Sequence, residues 1–312
     1  MKIVFMGTPD FAVPSLQALI DNGYDVIGVY TQPDRPKGRG KKLQPSPVKE
    51  VALQHNIPVY QPEKIRKESV AELQALAPDL YVTAAFGQIL SQELLDIPKF
   101  GCINVHASLL PRHRGSAPIA WGMLQGDAEA GVTTMMTDVG IDTGDMLLKA
   151  ATPIREDETC AELTERLSRL GADLLVQTLQ ALEAGTLQRL PQDEAAMTYD
   201  PKLTKDMSPV CWEQESLLVA RQINGLHPWP SCTCIVGGET LKLLRAKPVT
   251  GSGVPGEVLQ ADPKQGLTVA CGAQAVEILQ LRAPGGKAML AKDYLRGHPV
   301  AVGTIWKEEQ NG

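Results

Sequence analysis

Asn104 and His106 lie two positions apart in the string Asn104-Val105-His106-Ala107-Ser108-Leu109-Leu110-Pro111, and no other pair in the chain is better suited by type and spacing to carry chemistry. On a strand, residues i and i+2 face the same side. An amide beside an imidazole suits acyl transfer, because the amide donates to a developing oxyanion and the imidazole moves or shares a proton near neutral pH. A lone histidine at a strand terminus is also compatible with a ring satisfied by backbone. A second stretch bears on that choice. Asp138, Asp142 and Asp145 share one loop, Asp138-Val139-Gly140-Ile141-Asp142-Thr143-Gly144-Asp145. A carboxylate from it beside His106 would orient the ring and favour its charged form. The alternative is an acidic turn whose carboxylates cap local backbone. The sequence leaves open which Asp meets the ring, and the spacing of the three fits no EF-hand loop.

No activated nucleophile stands nearby. Cys102 sits inside the same strand, and Ser108 has only His106 as a neighbouring base. The six cysteines, Cys102, Cys160, Cys211, Cys232, Cys234 and Cys271, show no framework spacing and read as free thiols of a reducing compartment. Cys232 and Cys234 would share a strand face, but no second Cys or His pair lies at zinc spacing, so no metal is expected. The turn Gly7-Thr8-Pro9-Asp10 after the first strand lacks the second and third glycines of a dinucleotide site, so nicotinamide cofactors are excluded.

The formal net charge of −6 argues against a general nucleic-acid binder. The charge is uneven, however. Between Arg35 and Lys49 stand six basic residues (Arg35, Lys37, Arg39, Lys41, Lys42 and Lys49) and no acidic one. A local basic patch on an acidic protein suits a restricted, directional contact with phosphates. The bland reading is a solvated loop. The 312 residues suffice for two domains, and no apolar run approaches the ~20 residues of a membrane span. The opening Met1–Met6 run is too short for a secretory segment and reads as the first buried strand of a cytoplasmic protein.

Short apolar runs alternate with helix-period segments over the first ~110 residues. Strands are expected at 2–6, 25–31, 80–85 and 102–106, with 57–60 as a short extended piece. Helices are expected at 11–21, 48–55 and 70–76. This alternation argues for an α/β, Rossmann-like domain on a mainly parallel sheet. Further strands are expected at 131–137 and 146–153, and a long helix at 158–182. Residues 189–207, polar and proline-punctuated, read as a linker between a catalytic domain at 1–188 and a second domain at 208–312. In the latter, one helix (216–224) precedes closely spaced short strands, which suggests a small β-barrel.

These segments together resemble the family of 10-formyltetrahydrofolate-dependent formyltransferases, over nearly the whole chain. The resemblance is carried by Val4-Phe5-Met6-Gly7-Thr8-Pro9-Asp10-Phe11, Gly101–His106, Ser108–Pro111, Arg114-Gly115-Ser116-Ala117-Pro118-Ile119 and the Asp138–Leu147 loop. The basic loop Gln32–Leu43 with Pro45–Lys49, and Pro228-Trp229-Pro230 with the second domain, resemble the branch that acts on methionyl-tRNA. The resemblance implies a catalytic trio, Asn104, His106 and Asp142. It implies a folate pocket at Phe86-Gly87-Gln88-Ile89-Leu90, Ser108-Leu109-Leu110-Pro111 and Val139-Gly140-Ile141. It implies a tRNA-inserting loop with Arg35, Lys37, Arg39, Lys41 and Lys42, an OB-like second domain against the acceptor stem, and initiator methionyl-tRNA as partner. No membrane partner is expected, and the chain is expected to be a monomer. Two positions depart from the family. Ala120 replaces an amide side chain and His227 replaces an asparagine. The same trio also serves transferases that formylate small amines, which need neither the basic loop nor the second domain. A binder without turnover would need no such trio.

Overall fold

A computed structural model describes residues 1–37 and 42–307, with backbone alone for Lys37 and Lys42. The chain packs as two units, the first made of Met1–Gly115, Gly131–Thr152 and Thr164–Tyr199, and the second of Ser116–Ala130, Pro153–Leu163 and the chain from Asp200 on. A single boundary in the 189–207 segment does not describe this division. Residues 116–130 and 153–163 belong with the second unit, and Leu190 exchanges backbone hydrogen bonds with Met146 in the first.

In chain order the first unit contains β1 (Lys2–Gly7), α1 (Val13–Asp21), β2 (Asp25–Tyr30), β3 (Arg35–Lys37), β4 (Lys42–Gln44), α2 (Pro47–Gln54) and β5 (Val59–Tyr60). Next come α3 (Ile65–Glu68), α4 (Val70–Leu76), β6 (Leu80–Ala84), α5 (Gln92–Leu95), β7 (Cys102–His106) and β8 (Arg114–Gly115). After α6 (Pro118–Leu124) follow β9 (Glu129–Met136), β10 (Met146–Pro153), α7 (Cys160–Glu183) and β11 (Tyr199–Asp200). The main sheet runs β10-β9-β7-β6-β1-β2-β5. β1 is parallel to β2 and β6, β2 to β5, and β6 to β7, whereas β9 is antiparallel to β7. The central strand reads as a continuous apolar run because both its faces are covered. Val4 and Met6 pack with Leu73 and Leu94, while Phe5, pointing the other way, is equally buried.

Local chemistry sets the helix ends. Ser46 caps α2 by accepting from the Lys49 N–H at 3.1 Å, with Pro47 in the first turn. α7 opens on a reciprocal box: Thr159 N–H donates to Glu162 at 2.9 Å and Glu162 N–H to Thr159 Oγ1 at 3.3 Å. Acidic residues near position 158 foreshadow this start. The basic loop, expected to be irregular, carries two short strands instead: β3 and β4 pair antiparallel, Arg35 with Gln44 and Lys37 with Lys42. Cross-strand pairing satisfies backbone that Pro36 keeps out of a helix.

The second unit continues with α8 (Ser216–Gly225), β12 (Cys232–Val236), β13 (Glu239–Val249), β14 (Val258–Asp262), β15 (Gly266–Ala270), β16 (Ala275–Arg282), β17 (Met289–Leu290) and α9 (Ala291–Gly297). α6 and α9 were not anticipated, being short segments that packing supports. The sheet order is β12-β13-β16-β15-β14, with β17 beside β16, and every pairing between these strands is antiparallel. Residues 303–307 join its two edges. Trp306 N–H donates to Gly256 and Val258 N–H to Thr304, while Ile235 and Lys307 exchange bonds on the other side. Closure of this kind removes exposed strand edges. Asn224 of α8 pins β13 where its register shifts, donating to Ala246 C=O at 2.8 Å and accepting from its N–H at 2.9 Å. Cys232 and Cys234 are fully buried in this core, and among the described residues no His, Cys, Asp or Glu cluster could hold a metal.

Candidate active site

The parallel strands end in a row, Gly7 of β1 opposite Ala84 of β6 and Thr83 of β6 opposite Asn104 of β7. In open α/β sheets such carboxyl ends are where ligands bind. Side chains tie the row together. Thr8 Oγ1 and Gln32 Nε2 both donate to the Phe86 carbonyl, at 3.1 and 3.3 Å. Gly7 fits only without a side chain, since a Cβ there would stand 2.8 Å from that of Ala12.

Asn104 is half-buried, and its amide orientation follows from its neighbour. The Thr83 hydroxyl donates to Asn104 Oδ1 at 3.0 Å, and the Cys102 thiol donates to Thr83 Oγ1 at 3.9 Å. With its oxygen engaged, Asn104 presents Nδ2 as a donor. Burial pushes the Cys102 thiol up to about 11, so it stays protonated and inert at neutral pH. Ser108 donates to the Arg112 carbonyl at 2.8 Å and is buried, which also removes it as a nucleophile.

His106 is 6% exposed. Its Nε2 lies 2.9 Å from the His113 carbonyl. A carbonyl only accepts, so Nε2 carries a proton and the ring offers Nδ1 to its other neighbour. That neighbour is Asp142, with Oδ1 3.7 Å from Nδ1. The backbone satisfaction and the carboxylate weighed as alternatives from sequence thus hold for one ring at once. The gap is longer than a direct hydrogen bond.

Asp142 is set from several sides. Its backbone is left-handed, φ 55°, a conformation that must be held by its surroundings. Gly115 N–H donates to Asp142 Oδ2 at 2.9 Å. Gln192 Nε2 donates to the carbonyls of Asp142 and Gly144, at 2.7 and 2.8 Å. Gly144 approaches Met136 so closely that a Cβ would sit 1.9 Å from the Met136 carbonyl oxygen. Asp138 serves the loop itself, and Asp145 contributes its backbone. Asp138 accepts from Gly140 N–H at 3.1 Å and from Thr143 Oγ1 at 2.7 Å, and the Asp145 carbonyl accepts from Met136 N–H at 2.8 Å.

The segments expected to line a pocket divide by exposure. Ile89, Val139 and Ile141 are 63%, 62% and 52% exposed, and Gly87 and Gly140 beside them in sequence are exposed as well. Phe86, Leu90 and Leu110 are buried and belong to the core. Gln88 is occupied with Ile65 N–H at 2.8 Å and the Pro62 carbonyl at 2.9 Å. Leu109 and Pro111 are half-buried. Lys149 donates to the Leu110 carbonyl, and burial draws its ammonium below the usual lysine range.

Of the basic residues, Arg35 is exposed on β3, Lys37 and Lys42 are described by backbone alone, and Arg39 and Lys41 lie outside the described residues. Ala120 is buried on α6 and His227 half-buried, its imidazole held below the usual range by burial and by Arg282 and Arg245 despite Glu162. Sequence reasoning missed Thr83, His113, Gln192 and Thr198, and gave Arg114 no part in the site. Only the register of β6 against β7 and the return of a distant segment bring them here.

A family model described as formyl transferase matches residues 1–179, and one described as the formyl transferase C-terminal domain matches 202–299. A methionyl-tRNA formyltransferase from Trichlorobacter lovleyi is 51% identical over 305 residues, covering 97% of this chain and 96% of its own. One from Pseudomonas putida is 51% identical over 308 residues, covering 98% and 99%. An N-formyltransferase from Helicobacter canadensis, solved with folinic acid and dTDP-3-aminofucose, covers 89% of this chain and 99% of its own, at 18% identity and a TM-score of 0.69. That last likeness concerns the fold.

Proposed function

The chain belongs to the formyl transferase family, and on that premise we propose that it moves the formyl group of 10-formyltetrahydrofolate onto the amino group of initiator methionyl-tRNA. The observation that carries the chemistry is the meeting of His106 Nδ1 with Asp142 Oδ1 at 3.7 Å, two residues from an asparagine whose amide nitrogen is free to donate. The acceptor half rests on the relatives named above and on the basic run at 35–42.

The acceptor amine attacks the formyl carbon, and negative charge gathers on the formyl oxygen. Asn104 Nδ2 and a proton on His106 Nδ1 donate to that oxygen. Nε2 takes no part because the His113 carbonyl occupies it. Asp142 orients the ring and accepts the proton the amine sheds. The folate nitrogen leaves as the carbon–nitrogen bond breaks and takes up a proton. No covalent enzyme intermediate forms, in keeping with a protonated Cys102 and an engaged Ser108.

The exposed Ile89, Val139 and Ile141 are the apolar surface offered to the folate, with the main chain of 86–90, 108–111 and 139–141. Arg35, Lys37, Arg39, Lys41 and Lys42 position the acceptor end by its phosphates. Asn104, His106 and Asp142 all lie in the first unit, which supplies the catalytic domain. The antiparallel barrel beyond 208 is OB-like and carries the tRNA body. The test is to supply the protein with the formyl donor and either methionyl-tRNA or a small amine such as an amino-sugar nucleotide. Formylation of the tRNA alone is the expected result. Formylation of the small amine alone overturns the acceptor assignment.

A further inference from the structure

The segment running from Leu190 to Thr198 reads as connecting chain, yet its polar groups reach both halves of the His106–Asp142 pair. On the carboxylate side, Gln192 Nε2 bridges the carbonyls of Asp142 and Gly144, at 2.7 and 2.8 Å. Its oxygen accepts from Arg114 Nε at 2.9 Å. The Arg114 side chain is only 2% exposed, and its two terminal nitrogens reach the Glu194 carboxylate at 2.7 and 3.2 Å. That hydrogen bond holds the Glu194 carboxyl below its usual range. On the imidazole side, Thr198 Oγ1 accepts from His113 N–H at 2.7 Å, and the Thr198 carbonyl accepts from Arg114 N–H at 2.9 Å. His113 is the residue whose carbonyl holds His106 Nε2. Gly115, two residues on from His113, donates to Asp142 Oδ2.

We propose that residues 190–198 form a strap that sets the spacing of imidazole and carboxylate, with Gln192 and Thr198 as positioning residues acting through Asp142 and His106. The physical need is plain. Asp142 sits at positive φ, and its carbonyl and that of Gly144 share Gln192 as donor, so without that donor the loop relaxes. The amide of Gln192 supplies both hydrogens, and Arg114 fixes which end of that amide faces the loop. A glutamate at 192 keeps the shape and the acceptor for Arg114 but has no hydrogens for the two carbonyls.

The inference rests on the reading of Asp142 as a catalytic residue, and the test separates the two. Gln192→Glu, Gln192→Ala and Asp142→Ala are made singly, and each Gln192 change is combined with Asp142→Ala. Turnover is measured with methionyl-tRNA and 10-formyltetrahydrofolate. Each Gln192 variant is expected to lose about tenfold to a hundredfold in kcat, the scale of a small misplacement of reacting groups, with KM for both substrates within about twofold. In the Asp142→Ala background the same change is expected to cost nothing further, because its only route is gone. The second probe is Thr198→Val, expected to lose kcat in the wild type and nothing further in His106→Ala. Equal losses in both backgrounds mark a merely structural role and overturn the strap, as does wild-type kcat in Gln192→Glu. An Asp142→Ala enzyme with undiminished turnover removes the reading of Asp142 and the strap with it.

Discussion

The two regions assigned to substrate are built in opposite ways. At the end of β7, each polar group of the site is held at its far side: Asn104 by Thr83, His106 by the His113 carbonyl, Asp142 by Gly115 and Gln192. In the basic hairpin the anchoring is at the foot. Lys49 Nζ reaches Asp34 Oδ2 and Gln61 Oε1, both at 2.7 Å, and Gln61 Nε2 returns to Asp34 Oδ1 at 2.8 Å. Beyond that foot, Arg35 and Leu43 stand exposed on β3 and β4. Stabilising a developing charge needs donors already aimed, since reorganisation at the moment of reaction costs rate. Holding a polyanion needs reach and charge from a fixed base, and small displacements cost little.

Asn104 is where a preset donor matters most. Asn104→Ala removes the proposed oxyanion donor and is expected to lower kcat by about 10²–10³-fold with little change in KM. A loss confined to KM would place Asn104 among the binding groups instead. Next is Arg39→Ala, expected to raise KM for methionyl-tRNA roughly tenfold, to reduce the magnitude of the salt slope by about one, and to leave folate affinity unchanged. Salt-dependent binding and donor titration check it, and an equal loss toward both substrates contradicts it. Thr83→Val should cost about fivefold in kcat, the worth of one neutral hydrogen bond, by releasing the Asn104 amide to rotate. An undiminished rate would show that the amide is oriented by other means.

The smallest effect belongs to the hairpin foot. Hydrogen bonds from Lys49 and then Gln61 hold the Asp34 carboxyl below its usual range. A depressed folded-state value means the native state binds the proton later than the unfolded chain as pH falls. The stabilisation is therefore full above roughly pH 4, the unfolded value, and is lost as pH drops through the folded one. Asp34→Asn should lower Tm slightly at pH 6, and the difference from wild type should shrink toward pH 3. A difference that grows on acidification would contradict the assignment.

Much of the fold was legible because it is written in local stereochemistry. The apolar runs of β1, β6 and β7 and the start of α7, with Thr159 three residues before Glu162, are short-range patterns. The pairing of β3 with β4 was not legible, since proline, glycine and like charges there read as an open loop. Nor was the mixed membership of the units. Residues 116–130 and 153–163 carry no composition change that marks them as belonging with the barrel.

The sequence by itself determined that Asn104 and His106 share a side of one strand, because the two-residue period of extended backbone leaves no other arrangement. Tertiary structure alone decided which of Asp138, Asp142 and Asp145 meets the ring and which ring nitrogen faces it. Those outcomes depend on contacts such as Gln192 to Asp142, 50 residues apart, and His113 to Thr198, 85 apart. Partners at such separations are chosen by how whole elements pack, and no local preference of the chain encodes that choice.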